Sequence, residues 1–235
     1  MTEDLIEIGK KNAAIKAVED YVRKGMILGI GSGSTVVYAV KEIAKINNTK
    51  SLNLKCIPSS YQSRQLIIDN NLELASLDQY PEIDVDIDGA DEVDSNLNLI
   101  KGGGGCHVQE KIIASVAKKL VIVVDFRKKS LNLGENWKNG IPIEVLPLAC
   151  IPVMNKLKKI GGHPVLRMAK HKMGPIVSDN GNFIIDVDFG VIKNPAETNR
   201  LIKHIPGVIE TGLFVDLTSA VYIGQNDGTV KILKK

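Results

Sequence analysis

Asp88 and Asp91 bracket a Gly89-Ala90 turn, and ten residues beyond Asp91 a lysine, Lys101, leads into Gly102, Gly103, Gly104 and Gly105. Glu110 follows at the start of an apolar-periodic segment. Four consecutive glycines carry a high conformational entropy cost, tolerable where backbone must come very close to a ligand. Acids, one lysine and bare backbone together suit proton transfer on a small anionic or polyhydroxylated substrate.

Glu110 is the candidate base. The periodicity predicts a helix over 109–120 with an inward stripe at Ile113, Val116, Ala117 and Leu120. Glu110 stands three residues before Ile113 and shares that side. An acid in a first turn is also favoured by the helix dipole alone. The stronger structural explanation, a capping box, requires Ser or Thr at 107, where His107 stands. A half-buried glutamate has the raised basicity that a general base needs.

A second glycine loop, Gly31-Ser32-Gly33-Ser34-Thr35, lies between a predicted strand and a predicted helix. Helix N-termini offer unpaired N–H groups to anions, and Ser32, Ser34 and Thr35 add hydroxyls. A Walker loop would need a lysine before its Ser/Thr, and none is present. A dinucleotide fingerprint needs glycine where Ser34 stands and an acid where Ile57-Pro58-Ser59-Ser60 follows. A monophosphate or carboxylate site remains, beside a plain turn capped by hydroxyls. Lys128, after the predicted strand 121–124, is a further candidate for a phosphate contact.

The stretch Asp84-Val85-Asp86-Ile87-Asp88-Gly89 resembles the opening of a calcium loop, but Ser95 stands at the twelfth position, where glutamate is required. Asp84 and Asp86 are read as the solvated face of a strand. Asp88 and Asp91 differ because they lie at the strand's C-terminal end, where ligands bind in open parallel sheets. Cys56, Cys106, Cys150, His163, His171 and His204 show no metal spacing, and His107 is read as incidental. No metal and no cofactor is expected.

These residues need a scaffold of alternating strands and helices. Strands are predicted at 26–30, 52–57, 83–87 and 121–124, with a helix at 5–23 before them and helices at 36–46, 60–68 and 109–120 between them. That order implies an α/β class with a parallel sheet flanked by helices. After about residue 130 the pattern changes. Asp179-Asn180-Gly181-Asn182 signals a hairpin, and Asn194-Pro195 caps a helix running to about Ile205. The expectation is a main domain over 1–131 and 207–235 and a smaller α+β domain over 132–206. The strands within 214–233, with an Asp227-Gly228 turn, could join either.

The 235 residues are 44% hydrophobic and 24% charged, with a net charge of +3 and no basic block. Nucleic acid is therefore not expected as a partner, and aromatics at 4% give no stacking platform. The apolar run Leu120–Val124 is too short to span a bilayer, so no membrane partner is expected. No signal peptide is recognised, and the scattered cysteines suit a reduced, cytoplasmic protein.

Taken in order, GIGSGST, PSSYQS, DIDGADEVD, IKGGGG with QEKIIA, VVDFRK, GGHPVLR, DNGNFIIDV and PGVIETGLF resemble the ribose-5-phosphate isomerase A family along nearly the whole chain. The resemblance implies a Rossmann-like domain with an inserted smaller α+β domain, and a homodimer or homotetramer. It implies interconversion of ribose 5-phosphate and ribulose 5-phosphate without metal or organic cofactor. Glu110 is then the proton acceptor between C1 and C2, Asp88 assists ring opening, and Asp91 and Lys101 steady the enediolate. Substrate would be held by Ser32, Gly33, Ser34, Thr35, Gly89, Ala90, Lys101, Gly102, Gly103, Gly104 and Lys128, with Lys11 a weaker carry-over. Ser32 stands where many members have Thr, and Cys106-His107 where smaller or apolar residues are commoner.

Two rivals share the fold. A sugar-phosphate-sensing regulatory domain would need a basic helix-turn-helix segment, for which the first 25 residues are too short. A coenzyme A transferase half would be longer or need a partner chain.

Overall fold

The computed structural model describes residues 2–235. In chain order it opens with α1 (Thr2–Tyr21), β1 (Ile27–Ile30), α2 (Ser34–Lys50), β2 (Lys55–Pro58), α3 (Tyr61–Asp69) and β3 (Glu73–Leu74). There follow β4 (Val85–Asp88), β5 (Glu92–Val93), β6 (Leu99–Ile100), α4 (His107–Val116), β7 (Leu120–Asp125) and β8 (Ile141–Val145). The last are α5 (Cys150–Lys159), β9 (His163–Leu166), β10 (Phe183–Asp188), α6 (Pro195–Lys203), β11 (Val208–Thr211), β12 (Leu213–Phe214), β13 (Thr218–Gly224) and β14 (Val230–Lys234).

Packing divides the chain into two compact units. The first takes residues through Ala90, then Gln109–Arg127 and Leu217–Lys235. Its seven-stranded sheet runs β14-β13-β7-β4-β1-β2-β3. Every neighbouring pair is parallel except β13 with β14. This is the α/β class expected, and it explains the apolar runs. Strands covered by helices on both faces have no solvent side to mark with polar residues. Small side chains on α1, Ala13, Ala14, Ala17 and Val18, are buried in one core with Val40 and Ile43 of α2 and Tyr222 of β13. The Asp227-Gly228 turn joins β13 to β14, so the C-terminal strands extend this sheet.

Strand order reverses at β1: β2 and β3 lie on one side of it, β4 and β7 on the other. Such a switch point leaves a crevice outside the strands' carboxyl ends. Ile30 of β1 pairs with Ile87 of β4, so the Gly31–Thr35 loop and Asp88 issue from neighbouring strand ends.

The second unit takes Asp91–Val108 and Lys128–Asp216. It has an antiparallel sheet ordered β11-β8-β10-β9 and a three-stranded sheet ordered β12-β6-β5. Residues 91–108 group here rather than with the parallel sheet because β5 pairs with β6 and β6 with β12. Ile141, Ile143, Val153, Leu157, Ile185, Val187 and Ile202 form its core. The turn at 179–181 forms, with Ser178 N–H on the Asn182 carbonyl at 2.8 Å, but only its far side continues as a strand.

Candidate active site

Most residues singled out in the first unit surround the ends of β1 and β4. Asp88 ends β4 and is 1% exposed. Its Oδ1 accepts the Ser32 N–H at 3.0 Å and the Gly89 N–H at 2.7 Å, which ties the two strand ends together. The Ser32 hydroxyl donates to Ser60 Oγ at 2.7 Å, and the Gly33 N–H donates to the Gln62 side chain at 2.8 Å. Ser60 caps α3 in a capping box with Ser63, so the PSSYQS stretch is a rigid shelf under the loop. Gly33 caps α2 with φ 107°, leaving Ser34 exposed and Thr35 buried at the helix N-terminus. The arrangement presents unpaired helix N–H groups and hydroxyls to an anion.

One cation at this loop was passed over in the sequence. The Lys10 ammonium lies 3.2 Å from Ser34 Oγ and 2.7 Å from Glu7, while Lys11 is exposed. Glu7 also accepts from the Tyr38 hydroxyl at 2.6 Å. Hydrogen bonds from Lys10 and then Tyr38 hold its carboxyl below the usual range. Lys11, the residue the resemblance implied, is not the one that reaches the loop; the packing of α1 puts Lys10 there.

Glu110 lies in the first turn of α4 and is 4% exposed. Ile113, one turn on, would touch a Cβ placed on Gly29 of β1, so the face of α4 that carries Glu110 is turned to the sheet. α4 begins at His107, two residues earlier than the periodicity predicts, and His107 is buried.

Asp86 requires a correction. It is fully buried, with its carboxylate beside Gly29, and is not part of a solvated face. Alternation reports two faces of a strand, and in this sheet both are covered. Asp84, near the strand's other end, is partly exposed; its Oδ1 accepts from Lys118 at 2.8 Å and its Oδ2 from the Ile27 N–H at 2.9 Å.

The second unit holds Asp91, Lys101, the glycines and Lys128. Lys101 follows β6, is 3% exposed, and its ammonium lies 5.4 Å from the Phe214 ring centre. Its own N–H is held by the Gly212 carbonyl at 2.8 Å. Asp91 Oδ2 accepts the Gly103 N–H at 2.7 Å. Burial raises the Asp91 pKa, against the opposing pull of that N–H and of Lys101, Lys128 and Arg167. The Lys128 ammonium sits 5.5 Å from the Trp137 ring centre. Trp137 closes over Gly103, where an added Cβ would lie 2.9 Å from its ring. The loop bearing Trp137 is fastened by buried Glu92, which accepts the Gly134 N–H at 2.6 Å and the Asn136 N–H at 2.7 Å. Glu92 and Trp137 had no motif to mark them.

Comparison with known proteins places both groups of residues in one family. The model of ribose 5-phosphate isomerase A (phosphoriboisomerase A) matches residues 55–228. The chain belongs to the ribose 5-phosphate isomerase A family. A protein named ribose-5-phosphate isomerase from Dictyostelium discoideum is 56% identical over 226 residues, 95% of this chain and 96% of its own. One of the same name from Homo sapiens is 54% identical over 230 residues, 97% of this chain and 74% of its own. Ribose 5-phosphate isomerase A from Methanocaldococcus jannaschii superposes with a TM-score of 0.91 at 41% identity over the full length of both chains. A D-ribose-5-phosphate isomerase solved in complex with phospho-erythronic acid gives 0.94 at 40% identity, covering 98% of this chain and 99% of that one.

The chain thus has the fold of the isomerase A family along its whole length. Among its described residues no group of His, Cys, Asp and Glu could hold a metal ion, and no helix is long and apolar enough to cross a membrane.

Proposed function

We propose that this enzyme interconverts ribose 5-phosphate and ribulose 5-phosphate through an enediolate. Glu110 carries the reading: a buried carboxylate in a first helical turn, in a chain 54% and 56% identical to proteins named ribose-5-phosphate isomerase. Glu110 takes the proton from C2 of the open-chain aldose and returns it to C1. Asp88 assists opening of the sugar ring. Lys101 and Asp91 steady the charge that develops on the substrate oxygen. Ser32, Gly33, Ser34 and Thr35, at the start of α2, bind the phosphate, and Lys10 adds a cation to them. Gly89, Ala90, Gly102, Gly103, Gly104 and Lys128 complete the contacts to the sugar phosphate. Anchoring a remote phosphate supplies binding energy that positions C1 and C2. The phospho-erythronic acid held by the structural relative resembles the enediolate in its acid group, which supports this substrate class.

We further infer a homodimer or homotetramer in the cytoplasm. Leu148, Ile151 and Met173 are exposed apolar side chains of the second unit, and all three cysteines are free thiols. Light scattering on the purified protein reads the oligomeric state.

The activity test is ribose 5-phosphate with the purified chain in excess chelator, followed by ketose formation. Turnover is expected, with competitive inhibition by phospho-erythronic acid and very poor turnover of free ribose. No ketose from ribose 5-phosphate, with or without added metal, would refute the assignment.

A further inference from the structure

Arg167 follows β9, far in sequence from every residue assigned a role above. Its guanidinium is used on all sides. Nε donates to Asp186 Oδ2 at 2.7 Å, and Nη2 bonds the other oxygen of the same carboxylate. Nη1 donates to the Gly102 carbonyl at 3.0 Å and to the Gly103 carbonyl at 3.1 Å. All three partner residues lie in the second unit.

Those carbonyls begin two successive peptide groups. In a trans peptide the C=O and the following N–H point in opposite directions, and no cis peptide occurs among the described residues. With the Gly102 carbonyl on Arg167, the Gly103 N–H must face away from it; it donates to Asp91 at 2.7 Å. With the Gly103 carbonyl on Arg167, the Gly104 N–H must face away as well. That N–H has no hydrogen-bond partner among the described residues, and a Cβ added at Gly104 would meet nothing within 4 Å. The clamp therefore leaves one backbone donor unused, on an open stretch of chain, next to the donor that holds Asp91.

We propose that Arg167, oriented by Asp186, is a positioning residue for the isomerisation: it fixes two peptide groups so that Gly103 holds Asp91 and the Gly104 N–H is offered to the developing enediolate oxygen. The inference rests on the isomerase reading given above. A preset donor gives its full effect only when the oxygen becomes charged. Arginine is required because a planar fork can hold a carboxylate and a pair of carbonyls at once, which an ammonium cannot.

The test compares Arg167→Met, Arg167→Lys and Asp186→Asn with the parent on ribose 5-phosphate. Arg167→Met is expected to lose on the order of a hundredfold in kcat, the scale of one misplaced donor. KM should move by less than about threefold, because the lost contact acts in the transition state. Arg167→Lys is expected to recover little, since it keeps the charge and not the fork. Amide hydrogen exchange should quicken over Lys101–Cys106 in both Arg167 variants and stay unchanged in β8 and β10. A folded Arg167→Met with kcat within threefold of the parent, or with parental exchange in that loop, overturns the proposal. If Arg167→Met does not fold, Asp186→Asn decides. It loosens the fork without removing it, and a kcat equal to the parent's overturns the proposal, whereas a drop of about fivefold or more supports it. An inactive parent would instead refute the isomerase assignment itself.

Discussion

A methyl group on Gly31 would lie 1.9 Å from Oδ1 of Asp88. The first residue after β1 and the last residue of β4 are so close that only a bare α-carbon leaves room for the carboxylate. That oxygen also accepts the Ser32 N–H at 3.0 Å, so one carboxylate fixes the start of the Ser32–Thr35 loop. Gly31→Ala must push Asp88 aside. It should destabilise the protein by about 1–3 kcal/mol, the range for overpacking a close-packed site. It should also lower turnover more than tenfold, because Asp88 and the loop move together. Chemical denaturation and steady-state rates measure the two. An alanine variant with parental stability and rate would show that Asp88 can shift without consequence.

β1, β2, β4 and β7 were legible because each is an apolar or alternating run set between helical periods; β3, two residues long, was not. The site residues at the ends of the legible strands were legible for the same reason: a strand end is a position in sequence. Asp86 was misread because alternation cannot say that both faces of β4 are covered. β5, β6 and β12 are two residues each, too short for any period, and their pairing places residues 91–108 in the second unit. α5 hides its stripe of Cys150, Val153 and Leu157 behind Pro152, which a helix tolerates in its first turn. Arg167 stands 65 residues from Gly102, and its role exists only once β9 and β10 have paired.

Gly103 and Gly104 look alike in sequence and should behave oppositely. A Cβ at Gly103 would lie 2.7 Å from Asp91 and 2.9 Å from Trp137, whereas Gly104 has open space. Gly103→Ala is expected to lower the melting temperature by several degrees, as an overpacking cost of about 1–3 kcal/mol implies. Gly104→Ala should melt with the parent and lose tenfold or more in kcat/KM, because the proposed substrate approaches there. Full activity in Gly104→Ala would place the substrate elsewhere.

Asp91 gives a pH dependence of defined sign. Burial, opposed by the Gly103 N–H and by Lys101, Lys128 and Arg167, raises its pKa above the ordinary 3.8. The fold thus prefers the protonated acid to a greater degree than the unfolded chain does. The stability Asp91 contributes is fully present below its ordinary value and is lost as pH rises through the raised one. Asp91→Asn, which stays neutral, should therefore gain in melting temperature over the parent as pH climbs from below 4 to 7. It should at the same time lose activity, the pattern of a site that gives up stability for function. A difference in melting temperature that shrinks with rising pH would contradict the sign.

The mechanism depends most on Glu110. Glu110 is 4% exposed on the sheet-facing side of α4, and the helix begins at His107, so residue 110 is held in a formed first turn. Glu110→Gln keeps size and helix fit and removes only the ability to accept a proton. Turnover should fall on the order of a thousandfold or more, within the range for loss of a general base. Substrate affinity should change much less, since the loop at the start of α2 is untouched. Solvent exchange supplies a second readout: with ribose 5-phosphate in deuterated water, the parent should place deuterium at C1 of the ketose and the variant should not. Circular dichroism confirms that the variant is folded. If the folded variant keeps more than about a tenth of the parent's turnover, the drop is too small for loss of the proton acceptor. The base would then have to be sought at Asp88 or Asp91, the other carboxylates of the set.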